Sequence, residues 1–233
     1  MVFVPGYNVS KTIGSVIKQL IKLRSVVNFD ILYIDNNSED NSVKIVSSMK
    51  RKFIEIKVNK KNIGYGGSQK EAFKFGFMKK YDFLVEFDGD MQYSAGKIPH
   101  LIDEIIKGYC VVFGVRTKSS KNYSQMPFWK YLGNKISSKI INWSLDIDLH
   151  EIHTGFRAYD LKRLKKVKFS KCHNDYRWTI DSVIEIVKIN KNFSEIGVKG
   201  KYGKYSKSPR FIEIIKTLTY MIFRSVKYKL IKK

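Results

Sequence analysis

The sequence predicts an α/β fold: a mostly parallel sheet flanked by helices, followed by a basic amphipathic helix at the C-terminal end. Three observations predict it. From residue 2 to residue 114, short apolar runs of strand length alternate with longer segments whose apolar residues recur at helical spacing. Polar residues able to do chemistry (Tyr7, Asn8, Asp35, Asp88, Asp90 and Arg116) fall just beyond the apolar runs, where parallel sheets gather function. From Lys199 onward, eleven basic residues face a single acid, Glu213, around a helical apolar pattern. The chain is therefore divided into one α/β domain, 1–209, and a C-terminal helix, 210–233.

The elements follow in order. A strand over 2–4 is broken by Pro5, Gly6, Tyr7 and Asn8, and Ser10 is placed as the N-cap of a helix over 11–26. That helix repeats Ile13, Val16, Ile17, Leu20 and Leu23 on one side. A strand over 31–34 ends at Asp35, and the polar turn 36–40 opens a helix over 41–52. A strand over 54–58 precedes the glycine-rich turn 62–67 and a helix running to about residue 79. The strand over 84–87 delivers Asp88-Gly89-Asp90, and a helix over 97–107 leads to a strand over 109–114. Then come a polar loop at 117–125, a helix over 127–145, a short strand after His153-Thr154-Gly155-Phe156-Arg157, and a basic helix over 161–167. A helix over 178–189 carries Asp181 and Glu185, and a strand over 193–198 precedes a basic loop at 202–209. The final helix spans 210–230, with Phe211, Ile215, Leu218, Ile222 and Val226 in helical register and Tyr220, Met221 and Phe223 widening the stripe.

Composition narrows the class of function. An apolar share of 43% over 233 residues suffices for a real core. The net charge of +23, from 44 basic and 21 acidic side chains, calls for an anionic partner: nucleic acid, a membrane surface or a phosphorylated substrate. No run of 18 apolar residues exists, so no span of a bilayer is expected, and the opening run is too short for a signal peptide. Cys110 and Cys172 form no motif and read as reduced structural residues, which places the chain in the cytoplasm.

The chemistry concentrates at Asp88-Gly89-Asp90. Residues i and i+2 at a strand end point the same way, so the two carboxylates offer oxygen ligands on one side of a turn. That donor set suits a hard divalent cation that keeps waters and binds phosphate oxygens, and Gly89 permits close backbone approach. Read alone, the same triplet is a solvated turn. The turn Gly64-Tyr65-Gly66-Gly67 could cradle a phosphate at a helix N-terminus, but tight packing explains it better, and it matches neither the P-loop nor the dinucleotide fingerprint. Asp35 is equally a base or ribose acceptor and a helix-capping turn residue. Arg116 and Arg157 could clamp phosphate, or each could be one more solvated charge in a basic chain. His100, His150, His153 and His173 lack zinc spacing and read as structural or peripheral, and no serine sits in a nucleophile elbow.

These segments carry a resemblance. Val4-Pro5-Gly6-Tyr7-Asn8, the run from Ile34 to Asp40, Asn62 to Lys70, Phe87 to Gln92, Gly114-Val115-Arg116 and Thr154 to Ala158 resemble, in order, the motifs of family 2 glycosyltransferases of the GT-A (Rossmann-like) fold. Their form is similar to the branch that includes dolichol-phosphate mannose synthases and other polyprenyl-phosphate glycosyltransferases. The resemblance implies that Pro5, Tyr7, Asn8 and Asp35 line a nucleoside pocket, joined on the donor side by Asn36, Gly64, Lys70 and Gly89. It implies that Asp88, Asp90 and Gln92 hold Mg²⁺ or Mn²⁺ against the donor diphosphate, and that Arg116 and Arg157 face the acceptor. Departures from the pattern are Val9 and Asn36 in place of acids, Tyr93-Ser94-Ala95 in place of His-Asp-Pro, and Glu151 in place of Asp.

The expectation is a metal-dependent inverting glycosyltransferase that moves a sugar from a UDP- or GDP-linked donor to a polyprenyl-phosphate or glycan acceptor. A lipid phosphate needs no general base, whereas a sugar hydroxyl does, with Glu151 and Asp181 as candidates. The C-terminal helix is expected to lie on an anionic membrane, at the inner face of the cell membrane; its bland reading is a helix packed on the sheet with a solvated basic side. A basic nucleic-acid-binding protein is the alternative from another class, disfavoured because acids occupy the strand ends, and a nucleotidyltransferase is a weaker one.

Overall fold

The structure is a computed structural model that describes residues 1–49, 51–116, 128–200 and 211–232. The loops expected at 117–125 and 202–209 lie outside the described residues.

The strands are β1 (Val2–Gly6), β2 (Ile31–Asp35), β3 (Ile54–Val58), β4 (Phe83–Glu86), β5 (Val111–Val115), β6 (Arg157–Asp160) and β7 (Phe193–Gly197). They form one sheet in the order β3-β2-β1-β4-β6-β5-β7. β6 runs antiparallel to both of its neighbours, and the other pairings are parallel. The helices are α1 (Ile13–Arg24), α2 (Ser42–Ser48), α3 (Tyr65–Met78), α4 (Ile98–Ile106), α5 (Phe128–Leu145), α6 (Trp178–Val187) and α7 (Phe211–Lys232).

Alternation along the strands divides the core in two. Val2, Val4, Ile31 and Tyr33 pack with Ile13, Val16, Ile17 and Leu20 of α1, Val46 of α2 and Leu101 of α4. Phe3, Leu32 and Ile34 point the other way, to Phe73 of α3, Ile141 of α5, Ile184 of α6 and Met221 of α7. Both faces of β2 are therefore buried, which is why its sequence reads as a continuous apolar run. Trp178 locks the second layer, its ring lying 6.0 Å from Phe73 and 5.5 Å from Phe169.

Several local expectations are corrected. Ser10 does not cap α1: the N-cap position is Thr12, and the Ser10 amide donates to Asp40 at 2.9 Å. The helix expected over 161–167 is a set of turns. There the Asp160 carboxylate accepts the amide of Arg163, so Leu161 and Leu164 are both buried within one tight bend and no further turn is needed. α2 is shorter than expected, ending at Ser48. The C-terminal helix packs on α5 and α6.

Candidate active site

Strand order reverses direction at β1, whose neighbours are β2 and β4, and a crevice opens beyond the carboxyl ends at such a point. A cleft of about 630 Å³ lies there. Pro5, Gly6 and Tyr7 enter it from β1, Asn36 from β2, Asp88, Gly89, Asp90 and Gln92 from β4, and Arg116 from β5. His153, Thr154 and Gly155 enter from the loop before β6. Gly64, Tyr65 and Ser68 come from the start of α3, Asp175 and Tyr176 from the loop before α6, and Met221 from α7.

Asp88 and Asp90 share this wall. Burial pushes the Asp88 carboxyl well above its ordinary range, and the charges of Asp90 and Glu86 push it further. Two carboxylates held close together at a cleft wall, with Arg116 and Arg157 only partly offsetting the burial of Asp88, are a condition a divalent cation relieves. Among the described residues no group of three or more His, Cys, Asp or Glu gathers to make a closed metal cage. Two carboxylates with the Gln92 amide beside them are an open oxygen set, and they fit a hard cation that completes its shell with water and phosphate oxygens. The turn is fixed from both sides. The Gln92 backbone N–H donates to Asp90 Oδ1 at 3.1 Å, Thr12 Oγ1 donates to the Gly89 carbonyl at 2.7 Å, and Met91 adopts the left-handed region at φ 64°. Gly155 makes room: a Cβ there would stand 2.5 Å from Asp88 Oδ2.

Glu86, two residues before Asp88, was not singled out by the sequence. It is fully buried, accepts hydrogen bonds from Tyr65 and Gln69, and faces Arg157 across the β4–β6 ladder. Burial raises its pKa to about 7. Through Tyr65 this inner network reaches the cleft, where the Tyr65 ring stacks on Tyr176 with centroids 5.4 Å apart. The signal available in the sequence was an acid inside an apolar strand.

Other expected site residues stand elsewhere. Arg157 is 2% exposed and set back from the cleft wall; its guanidinium donates to the carbonyls of Thr154 and Ile152 and lies over the Phe113 ring, so it braces the loop beside Asp88. Arg116 does line the cleft, but through Nε and its amide it is bound to Glu151 at 2.9 and 2.8 Å. Burial works against the Glu151 charge, yet the charge and hydrogen bonds of Arg116 hold its carboxyl below the ordinary range. Glu151 is thus sealed behind Arg116 and set back from the cleft wall. Asp181 is also set back from the cleft wall: it is buried against His173 Nδ1 at 2.6 Å and Tyr220 Oη at 3.0 Å, and it ties α6 to α7. Asp35 is fully buried, accepting from Tyr33, Ser38 N and Ser38 Oγ at 2.9, 2.7 and 2.6 Å.

Asn8, Asp35 and Lys70 are thus set back from the cleft wall, with Lys70 Nζ donating to Asn174 at 2.8 Å and Asn8 Oδ1 accepting from Glu39. Gly64 and Gly66 are explained by packing, since a Cβ at either would strike the backbone of Asn174 or His173. His153, read from sequence as structural or peripheral, lines the cleft, with Nε2 2.8 Å from Ser137 Oγ.

Comparison with known proteins places this architecture. The family model described as Glycosyl transferase family 2 matches residues 1–168. The chain is 28% identical over 222 residues to the UDP-N-acetylglucosamine–dolichyl-phosphate N-acetylglucosaminyltransferase of Methanococcus voltae, covering 87% of this chain and 86% of that one. It is 21% identical to the polyprenol monophosphomannose synthase of Mycolicibacterium smegmatis, covering 91% and 84%. In fold it matches the crystal structure of glucosyl-3-phosphoglycerate synthase from Mycobacterium tuberculosis in complex with Mn²⁺ and UDP-glucose, with a TM-score of 0.70 at 14% identity, covering 97% of this chain and 78% of that one.

Proposed function

The chain belongs to glycosyl transferase family 2, and we propose that it carries out metal-dependent, inverting transfer of a sugar from a nucleotide-sugar, with UDP favoured over GDP, to a polyprenyl phosphate. The observation that carries this reading is the pairing of Asp88 and Asp90 on the wall of a cleft at the sheet's carboxyl edge. The relatives' names supply the acceptor class, and that of the Methanococcus relative includes a UDP-sugar.

In this reading Asp88, Asp90 and the Gln92 side chain hold Mg²⁺ or Mn²⁺. The bound cation supplies positive charge to the leaving nucleoside diphosphate. Pro5, Gly6, Tyr7 and Asn36 form the wall on the β1–β2 side, where the nucleoside lies, and Asp35 acts from behind by fixing the 35–38 turn. Arg116, its charge partly answered by Glu151, adds a cation on the opposite side of the cleft. Held in line, an acceptor phosphate oxygen forms a bond to the anomeric carbon from the face opposite the diphosphate. The carbon–oxygen bond to the donor breaks, and its electron pair leaves with the nucleoside diphosphate. The attacking oxygen is already an anion, so no proton has to be removed. This agrees with the burial of Glu151 and Asp181 away from the cleft, and with Asp175 in it, whose carboxyl the hydrogen bonds of Arg177 hold below its ordinary range.

Titration calorimetry tests the donor side. With Mn²⁺ present UDP should bind more tightly than GDP, and with EDTA or in Asp90→Asn UDP binding should weaken by about tenfold or more. UDP binding that is indifferent to both changes removes the metal pair from the site.

A further inference from the structure

The C-terminal half of the molecule leaves an unusual surface uncovered. Seven of the fifteen exposed large apolar residues among those described lie on α5 and α7: Leu132, Ile136 and Trp143 on the first, and Ile215, Phe223, Leu230 and Ile231 on the second. On α5 the positions 132, 136, 139 and 143 recur at helical spacing, so Leu132, Ile136, Lys139 and Trp143 form one outward stripe. On α7, Ile215, Thr219, Phe223 and Leu230 do the same, flanked by the exposed Lys216 and Lys227. The body is met by a different side of α7, through Leu218 and Met221. Packing has therefore not consumed the outer apolar residues.

The two helices pack side by side. A Cβ on Gly133 would touch Leu218 at 3.6 Å, and Lys229 Nζ lies 4.1 Å from the Trp143 ring centroid. Both outward stripes are exposed to solvent, and the Lys229–Trp143 contact joins the two helices between them. α5 contains no acid and α7 contains only Glu213. The inner sides of the same helices reach the cleft through Asn134, Thr217, Leu218 and Met221.

We propose that the outer face of α5 and α7 is a docking surface for an anionic lipid bilayer, into which Ile136, Trp143, Phe223 and Leu230 insert while Lys139, Lys216 and Lys227 meet lipid phosphates. Apolar side chains within a lysine field are the composition of helices that lie in a membrane interface. No helix among the described residues is long and apolar enough to cross a membrane, so this face supplies attachment without a span. The inference rests on the proposed lipid-phosphate acceptor only for its purpose: a bilayer against this face would present such an acceptor at the cleft entrance formed by the same helices.

The test is co-sedimentation of the full chain with vesicles of equal parts phosphatidylglycerol and phosphatidylcholine, alongside vesicles of phosphatidylcholine alone. Binding should need the anionic lipid and weaken with salt. Ile136→Ser with Phe223→Ser and Leu230→Ser, and separately Lys139→Glu with Lys227→Glu, should each weaken partitioning by about tenfold or more while circular dichroism is unchanged. Tryptophan emission should shift to the blue on binding, and Trp143→Phe should abolish most of that shift while the protein still binds. Binding that survives both sets of substitutions, or an unshifted Trp143, overturns the proposal in favour of diffuse attraction by the net charge. A concentration-dependent dimer that the serine substitutions dissolve, with no vesicle binding, overturns it in favour of a second copy of the chain. Neither result bears on UDP binding, so failure here leaves the donor-site reading standing, and failed UDP binding leaves this surface standing.

Discussion

A side chain at Gly155 and the Asp88 carboxylate compete for one place, because a Cβ there would stand 2.5 Å from Oδ2. Gly155→Ala should therefore turn Asp88 away from the cleft and lower transfer by about two orders of magnitude, the cost of losing one well-placed electrostatic group. Gly96→Ala, whose Cβ would meet only Ser94 Oγ at 3.6 Å, should cost nothing; steady-state kinetics on both variants checks the pair. Glu86 makes a pH prediction. Burial lifts its pKa from 4.5 to about 7, so the native state binds its proton more tightly than the unfolded chain does. Its contribution to stability is complete below pH 4.5 and lost as the pH rises through about 7. Glu86→Gln keeps an acceptor for Tyr65 and removes the titration. Denaturation in EDTA should show the wild type losing on the order of 3 kcal/mol more than the variant across that window; parallel curves would mean that Glu86 stays ionised. At this scale the Asp88-Gly89-Asp90 turn was legible because strand-end carboxylates announce themselves by spacing. Glu86 and His153 were not, since only tertiary placement separates a buried acid or a cleft histidine from a solvated one.

Elements were legible wherever one side alone had to be apolar. The spacing of Ile13, Val16, Ile17 and Leu20 gave α1, and all four are buried. The turns at 161–166 misled, because Leu161 and Leu164 sit three apart as on a helix while the Asp160 side chain closes a single turn on the Arg163 amide. Ser10 misled in the same way: its amide goes to Asp40, a partner thirty residues distant that no local pattern reveals. The most consequential element is α7, attached partly through Asp181 to Tyr220 and to Arg224, whose Nε lies at 3.7 Å. Asp181→Ala leaves those groups and His173 without their acceptor, a loss of about 1–3 kcal/mol. Amide exchange over 211–232 should quicken while that of β1, β2 and β4 is unchanged. Uniform quickening would mean that α7 and the sheet open as one unit.

Over the whole molecule, the alternation of strands and helices announced the parallel sheet, but the insertion of β6 between β4 and β5 was beyond the reach of pattern, since strand direction is set by connections and not by residue type. That insertion matters, because the loop leading into β6 carries His153, Thr154 and Gly155 to the side of Asp88. The net charge of +23 also acquires a location: part of it surrounds an uncovered apolar face on α5 and α7, beside the cleft, while the acids Asp88 and Asp90 stand inside. That division suits the proposed enzyme, which joins an anionic donor to a lipid phosphate. The most direct measurement is transfer itself: purified protein with UDP- and GDP-sugars, Mn²⁺ and a polyprenyl phosphate, with products read by mass spectrometry. A glycosyl phosphoryl polyprenol should form with one UDP-sugar, vanish in EDTA, and fall by about two orders of magnitude in Asp90→Asn. A product formed equally well in EDTA and by Asp90→Asn would contradict the account at its centre.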